Sequence, residues 1–459
     1  MDHAVAFVPA TDSPLRRFAP PRIRREGSTL GVRLAELFRD RRLLVLLALG
    51  FSAGVPLPLV AGQVLRQWFV ESGMSLADLG LTALIGLAYA NKFLWSPALD
   101  AVRPPFLGRR RGWLLPIQIA LIATIAAMAL TDPTGGATAT VALAVIVAFL
   151  SASQDIVIDA WRIEMMGDDT ERQAWGLTAY VWGYRGALLA SGAGTLYMVG
   201  FGGWHIAYLY GAALLMVGIA ATLAGREGPA PVMVPMGWRA RLRESVVTPF
   251  LDFTGRRYWL AILAFVALFK LGEALAGVMV TPFYRSEGFT RNDVASVATV
   301  FGLVATLAGA VAGSWLVGRI GVGRALILTG IGQMLSNLMY LALVGGGRDM
   351  PMLFAQVGVE NFTDGLADAA FLTYLSGLVN RSFSATQYAL LSSLAAVPLR
   401  TLGASAGVLA ASLGWSQFFI LTTLAALPAM AIMLFLLWRL PPVDARRDEG
   451  RALHPADPG

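Results

Sequence analysis

The chain contains no cysteine and only three histidines, none within four residues of another. A disulfide framework, a thiolate metal site, a cysteine nucleophile and a paired-histidine metal site are therefore all excluded. Charge is also scarce, with 14% Asp, Glu, Lys and Arg in 459 residues. Lysine is nearly absent: Lys92 and Lys270 are the only two, and every other fixed cation is arginine.

Apolar residues fill the chain instead. They make up 56% of it, and the mean hydropathy is +0.63. That composition lies outside the soluble globular range and points to a polytopic membrane protein. A bilayer core takes about 20 apolar residues per helix. Twelve runs meet that length, at approximately 43–62, 79–99, 113–131, 137–158, 174–199, 204–224, 258–282, 294–317, 324–344, 351–378, 384–411 and 414–438. We number these spans 1 to 12. The reading is an all-α membrane protein of two six-helix bundles: 43–224, then a linker at 225–257 opening GREGPAPVMVP, then 258–438. A basic tail (1–42) and a second tail (439–459) flank them. Residues 30–42 have the pattern of an amphipathic helix on an anionic inner surface.

Arginine orients the spans. With the amino terminus inside, the cytoplasmic segments hold 28 of the 34 arginines, and Arg66, Arg285, Arg291 and Arg348 lie outside. This is the positive-inside asymmetry, and it puts both termini in the cytoplasm. The +7 net charge follows from it, so nucleic acid is not an expected partner.

The two halves match internally. A shift of 209 residues carries Asp155-x-x-x-Asp159-Ala160 onto Asp364-x-x-x-Asp368-Ala369, and Arg110-x-Gly112 onto Arg319-x-Gly321. Six spans is an even number, so the copies run the same way through the bilayer, as in parallel-repeat transporters with a site between the halves.

The stretch SASQDIVIDAWRIE (151–164) ends a run otherwise fit only for lipid. A carboxylate there costs about 2.5–3.5 kcal/mol, so charges at that depth face a bundle interior or a wet cavity. Four cations lie at such positions, Lys92, Lys270, Arg185 and Arg400, against Asp155, Asp159, Glu273, Glu360, Asp364 and Asp368. Helical period sets Asp155, Asp159 and Arg162 on one stripe, and Lys270 with Glu273 on another. Each cluster has two readings, structural pairing or function. For Asp100, Asp159 and Arg162 at the inner surface, the reading is structural pairing that closes a cytoplasmic gate. For Asp155, Lys92 and Arg185, deeper in, it is a solute cavity. For Glu360 and Arg400 the choice stays open.

Burial disfavours an ionised carboxylate and a neighbouring cation favours it. A group whose balance changes as a cavity opens to one side and then the other can carry a proton, and Asp155 fits by depth. Gln154 beside it offers a donor and an acceptor for sugar hydroxyls or amides. Most of the aromatics read as interfacial belt or packing. Tyr89 and Trp95 around Lys92, and Tyr184 beside Arg185, are placed to stack on a sugar or peptide. GVPLPL (54–59) and RGALLASGAG (185–194) suit close helix contact or a hinge.

Four segments taken in order, KFLWSPALDAVRPPFLGRRRGWLLP (92–116), SASQDIVIDAWRIE, KLGEALAG (270–277) and SFSATQYALLSSL (382–394), resemble the AmpG-type muropeptide permeases of the major facilitator superfamily. The likeness runs from about residue 43 to 438. It implies the major facilitator fold and proton symport of N-acetylglucosaminyl-1,6-anhydro-N-acetylmuramyl peptides into the cytoplasm. It further implies the bacterial inner membrane, wall recycling and, in some bacteria, β-lactamase induction. The family's Gln-Asp-x-x-x-Asp motif falls on Gln154, Asp155 and Asp159, its basic loop on Arg109, Arg110 and Arg111, and its seventh-span lysine and acid on Lys270 and Glu273. Glu360 and Asn361 match its tenth span, whereas Asp364 and Asp368 depart from it.

The resulting expectations are these. Asp155, Asp159 and Glu273 couple protons. Lys92, Gln154, Asp155, Arg185, Lys270, Tyr89, Trp95 and Tyr184 bind solute, and Asp100, Arg109, Arg110, Arg111, Asp159 and Arg162 form a gate. The partners are a small glycopeptide, protons and lipid, the protein acts as a monomer, and no cofactor or metal is needed. Oligopeptides or acetyl-CoA are the alternative cargo, though six interior acids against four cations suit CoA phosphates poorly. A membrane enzyme would need a nucleophile–base pair or metal cluster that the composition does not supply. A sensor would need a signalling domain, and tails of about 40 and 20 residues are short for one.

Overall fold

The computed structural model describes residues 40–102, 104–167, 170–227, 254, 258–378, 396–397 and 399–439. Residues 1–39, most of the linker, the segment SFSATQYALLSSL and the tail from 440 lie outside the described residues. Those described are helical or in short connections, with no strand among them.

Among the described residues, eight helical stretches are long and apolar enough to cross a bilayer. They account for the predicted spans as follows. Arg41–Glu71 is span 1, Arg111–Ala129 span 3 and Thr138–Met166 span 4, while Trp259–Ser286, Arg291–Ile320 and Val322–Ala342 are spans 7 to 9. Trp175–Ala224 holds spans 5 and 6. The chain reverses between them at Gly202 and Gly203, where Gly203 adopts φ 72°, a conformation costly for any residue with a Cβ. Ala406–Arg439 likewise joins the end of span 11 to span 12 through Gly414 at φ 72°. Span 10 is the 29-residue helix Met350–Leu378, which carries Glu360, Asp364 and Asp368.

Span 2 is not one helix. Leu76–Leu81 passes into 3-10 turns at Thr82–Gly86 and Lys92–Leu94 around the short Leu87–Ala90, before Ser96–Ala101. The sequence NKFLWSP explains the break. The Asn91 side chain donates back to Leu87 O at 2.9 Å, and Pro97 restricts the residue before it. Span 7 breaks too, between Trp259–Leu268 and Leu271–Ser286, with Lys270 at φ −102°, ψ 17°. Both lysines of the chain thus sit at interruptions of membrane helices.

The core is divided unevenly. One apolar cluster runs through the first half and continues into Leu275–Val297, Tyr340–Val357 and Ala404–Phe419 of the second. The other, built on Phe265, Phe269, Phe371, Tyr374 and Met433, belongs to the second half alone. The halves therefore share a core at one end only. At that end the backbones of spans 2 and 11 cross so closely that a Cβ on Gly407 would lie 1.8 Å from Leu76 O. The basic loop Arg109–Arg111 marks the opposite end.

Candidate substrate and proton site

Each lysine meets the Asp-x-x-x-Asp pair of its own half. Lys92 Nζ stands 3.9 Å from Asp155 Oδ2 and 4.0 Å from Asp159 Oδ2. Both distances exceed hydrogen-bond range, so these are loose ion pairs. Asp155 is only 13% exposed, and its Oδ1 has no hydrogen-bond partner. Arg162 approaches Asp159 to 3.7 Å, one turn further on.

The second cluster is tight. Lys270 Nζ lies 2.6 Å from Asp364, 2.6 Å from Asp368 and 2.7 Å from Glu273. An ammonium has three donors, and here three carboxylates engage it. Gln333 Nε2 adds donations to Glu273 at 2.7 Å and Asp364 at 3.1 Å. Lys270, expected as a solute cation, is therefore enclosed by acids in this conformation. The site it fills is negative overall.

Arginine links the two clusters. The Arg400 guanidinium reaches from the second half onto span 2, where a Cβ on Gly86 would lie 2.7 Å from its Nε. It acts electrostatically on Tyr89 and Tyr184 of the first half and on Glu273 of its own. Arg185, exposed at the end of Thr170–Ala187, acts on Asp368 across the interface. Arg185 and Arg400 thus each lie within electrostatic reach of groups in the opposite half.

Other expected residues are placed differently. Gln154 is fully buried and accepts from Ser52 Oγ at 3.4 Å, so its amide is out of contact with solvent here. The Trp95 indole donates to Ser153 at 3.0 Å and packs on Phe149, which fixes the ring beside Lys92. Trp161 is buried, Trp68 stacks on Trp204, and Trp182 is 66% exposed on the outside of the bundle. These three fit the packing and belt reading.

Of the expected gate, the basic loop is bound inside the first half. Arg109 and Arg110 pair with Glu164, Arg110 at 2.7 Å and only 4% exposed. The Glu227 carboxylate accepts the backbone N–H groups of Arg109, Arg110 and Arg111 at 2.9, 2.8 and 2.7 Å. It thereby caps the start of span 3, where a negative charge meets the positive end of the helix dipole. Arg111 returns the favour to span 6, donating to Thr222 O and Leu223 O. Asp159 and Arg162 take no part in this lock, and the Asp100 side chain lies outside the described residues. Glu164 and Glu227 had no assigned role in the sequence. Glu164 ends the quoted acidic motif, but nothing local marks Glu227 as a cap for a helix over 110 residues away.

Glu360 has its own network. Tyr340 donates to it, Gln356 Nε2 donates at 2.6 Å, and Tyr284 donates to Gln356 at 2.5 Å. Its donors among the described residues are neutral.

Helices interrupted beside buried charge, set between two bundles, define a transporter of the major facilitator type. Solved structures agree on the fold. A mutant of the nucleoside transporter NupG aligns over 86% of this chain and 100% of its own with a TM-score of 0.64 at 13% identity. A D-xylose-proton symporter aligns over 88% and 97% with a TM-score of 0.62 at 12% identity. The family profile described as acetyl-coenzyme A transporter 1 matches residues 42–134. The anhydromuropeptide permease of Escherichia coli (strain K12) is 40% identical over 400 residues, 87% of this chain and 80% of that protein. The putative transporter AmpG 4 of Rickettsia conorii is 33% identical over 415 residues, 88% and 99% of the two chains. The chain belongs to the AmpG-type muropeptide permease family.

Proposed function

We propose that the protein imports cell-wall-derived anhydromuropeptides across the bacterial inner membrane, driven by proton symport, with both termini in the cytoplasm. The observation that carries this reading is the pair of lysine–carboxylate clusters at the helix breaks of spans 2 and 7, with Arg185 and Arg400 reaching between the halves. Anhydromuropeptides carry carboxylates, amides, sugar hydroxyls and often an amine. Lys92, Arg185 and Arg400 supply cations for the carboxylates, and the negative Lys270 cluster supplies acceptors for an amine. Tyr89 and Tyr184 supply surfaces for the sugar.

Asp155, with one oxygen unpartnered and Lys92 beyond hydrogen-bond distance, is the first proton acceptor in this reading. Glu273 and the acids around Lys270 form the second. Entry of a solute carboxylate beside Lys92 weakens that cation's hold on Asp155, and so ties proton occupancy to cargo occupancy. The carrier works by alternating access, and its cargo is recycled wall material.

Uptake into proteoliposomes, with purified anhydromuropeptide, a tripeptide and acetyl-CoA offered side by side with and without a pH gradient, tests the cargo and its coupling. Gradient-dependent uptake of the anhydromuropeptide alone is the expected result. Preference for acetyl-CoA would move the protein toward the family whose profile matches residues 42–134.

A further inference from the structure

Ion pairs join the two halves at one end of the molecule, and Glu71 is their hub. It stands at the end of span 1. Its Oε1 is 3.2 Å from Arg291 Nε and 3.8 Å from Arg285 Nη2, both in the second half. The first half orients it: Gln67 Nε2 donates to Oε1 at 2.9 Å and Trp204 Nε1 to Oε2 at 3.0 Å. The other ties across this seam lack a carboxylate. Gln63 donates to Thr299, and Arg66 donates to Gly277 O at 3.0 Å.

Packing alone does not hold the seam at this point. A cavity of about 410 Å³ opens beside Glu71, between Met74 and Leu76 of one half and Pro282, Arg285 and Trp415 of the other. At the opposite end Glu164 and Glu227 hold the basic loop within the first half.

We infer that Glu71 is a gate-positioning residue of the transport cycle: with Arg285 and Arg291 it latches the end away from the basic loop, and release of that latch lets the halves part there. The side chains are 21%, 29% and 33% exposed, so the latch is weak enough to open in every cycle. The close backbone approach of Gly80 and Gly407 lies at the same end, so parting there also separates spans 2 and 11. The inference rests on the transporter fold and not on the cargo.

The native chain has no cysteine, so introduced ones are unique labels. Spin labels at Ser72→Cys with Asn292→Cys read the latched end, and labels at Arg226→Cys with Arg324→Cys read the other. Distances are measured in nanodiscs by pulsed electron resonance on the full chain. Glu71→Gln raises the population with the latched end apart about five-fold, the scale that two part-exposed ion pairs supply, and Arg291→Gln, which removes one of the two, about two-fold. The same variants shorten the distance at the opposite end, and Glu71→Asp restores the parent distributions. Unchanged distances in both Glu71→Gln and Arg291→Gln would overturn the inference. So would separation at the latched end with no answering closure at the other, because that is local fraying.

Discussion

Lys92 stands 3.9 Å from Asp155, near enough for attraction and too far for a hydrogen bond. Its counterpart Lys270 lies 2.6 Å from Asp364. The same sequence element, an Asp-x-x-x-Asp pair on a membrane helix, is thus used twice with different tightness. A loose pair leaves both partners available to a third group. A tight one sets the charge of its surroundings. That contrast assigns different work to the chain's two lysines, and different consequences to their removal.

Lys92→Ala removes a cation that binds no protein atom closely. Cargo affinity is expected to fall about ten-fold, the effect of losing one charge-assisted hydrogen bond to a solute carboxylate. Thermal stability in detergent should change little. Binding of labelled anhydromuropeptide by the purified protein checks the first part, and a melting curve the second. Unchanged affinity would make Lys92 structural.

Lys270→Ala leaves three carboxylates in one partly buried site without their cation. Uncompensated charge that is fully buried destabilises by about 3–5 kcal/mol. Glu273 and Asp368 are 37% and 41% exposed, so about 1–2 kcal/mol is expected, and this variant should melt below Lys92→Ala. Adding Asp364→Asn and Asp368→Asn removes two of the three unpaired charges and should recover much of the loss. Equal melting temperatures for the two lysine variants would contradict the contrast.

Arg110→Ala breaks the buried pair with Glu164 at the foot of span 4. Glu164 keeps Arg109, so the cost expected is that of one charge-assisted pair, about 1.5–3 kcal/mol. Glu164→Gln takes the carboxylate from both arginines and should cost more than Arg110→Ala alone. A double-mutant cycle on unfolding in mixed micelles measures the coupling, and additivity would show that the pair does not interact.

Much of this architecture is legible in local sequence. Boundaries between spans 5 and 6, and between 11 and 12, fall at Gly202–Gly203 and Gly414, because a chain reversal calls for glycine and the flanking runs are apolar. The i,i+3 pairing of Lys270 with Glu273 follows from helical period. Partners from other spans do not follow. Asp364 lies 94 residues from Lys270, and only packing of spans 7 and 10 brings it within 2.6 Å. Gln154 reads as a solute ligand by its place next to Asp155, yet a helix turns successive side chains by about 100°, which leaves it in the packed contact with Ser52. The Glu227 cap and the Glu71 latch are tertiary in the same sense: a carboxylate's role is set by which donors the fold brings to it.

Cargo-triggered proton movement tests the central claim most directly. Anhydromuropeptide is added to proteoliposomes containing a pH-sensitive dye, with the parent protein or with Asp155→Asn, and cargo exchange is followed in parallel. The account predicts proton influx on cargo addition for the parent, and none for Asp155→Asn although that variant still exchanges cargo. Equal proton influx through both would contradict it.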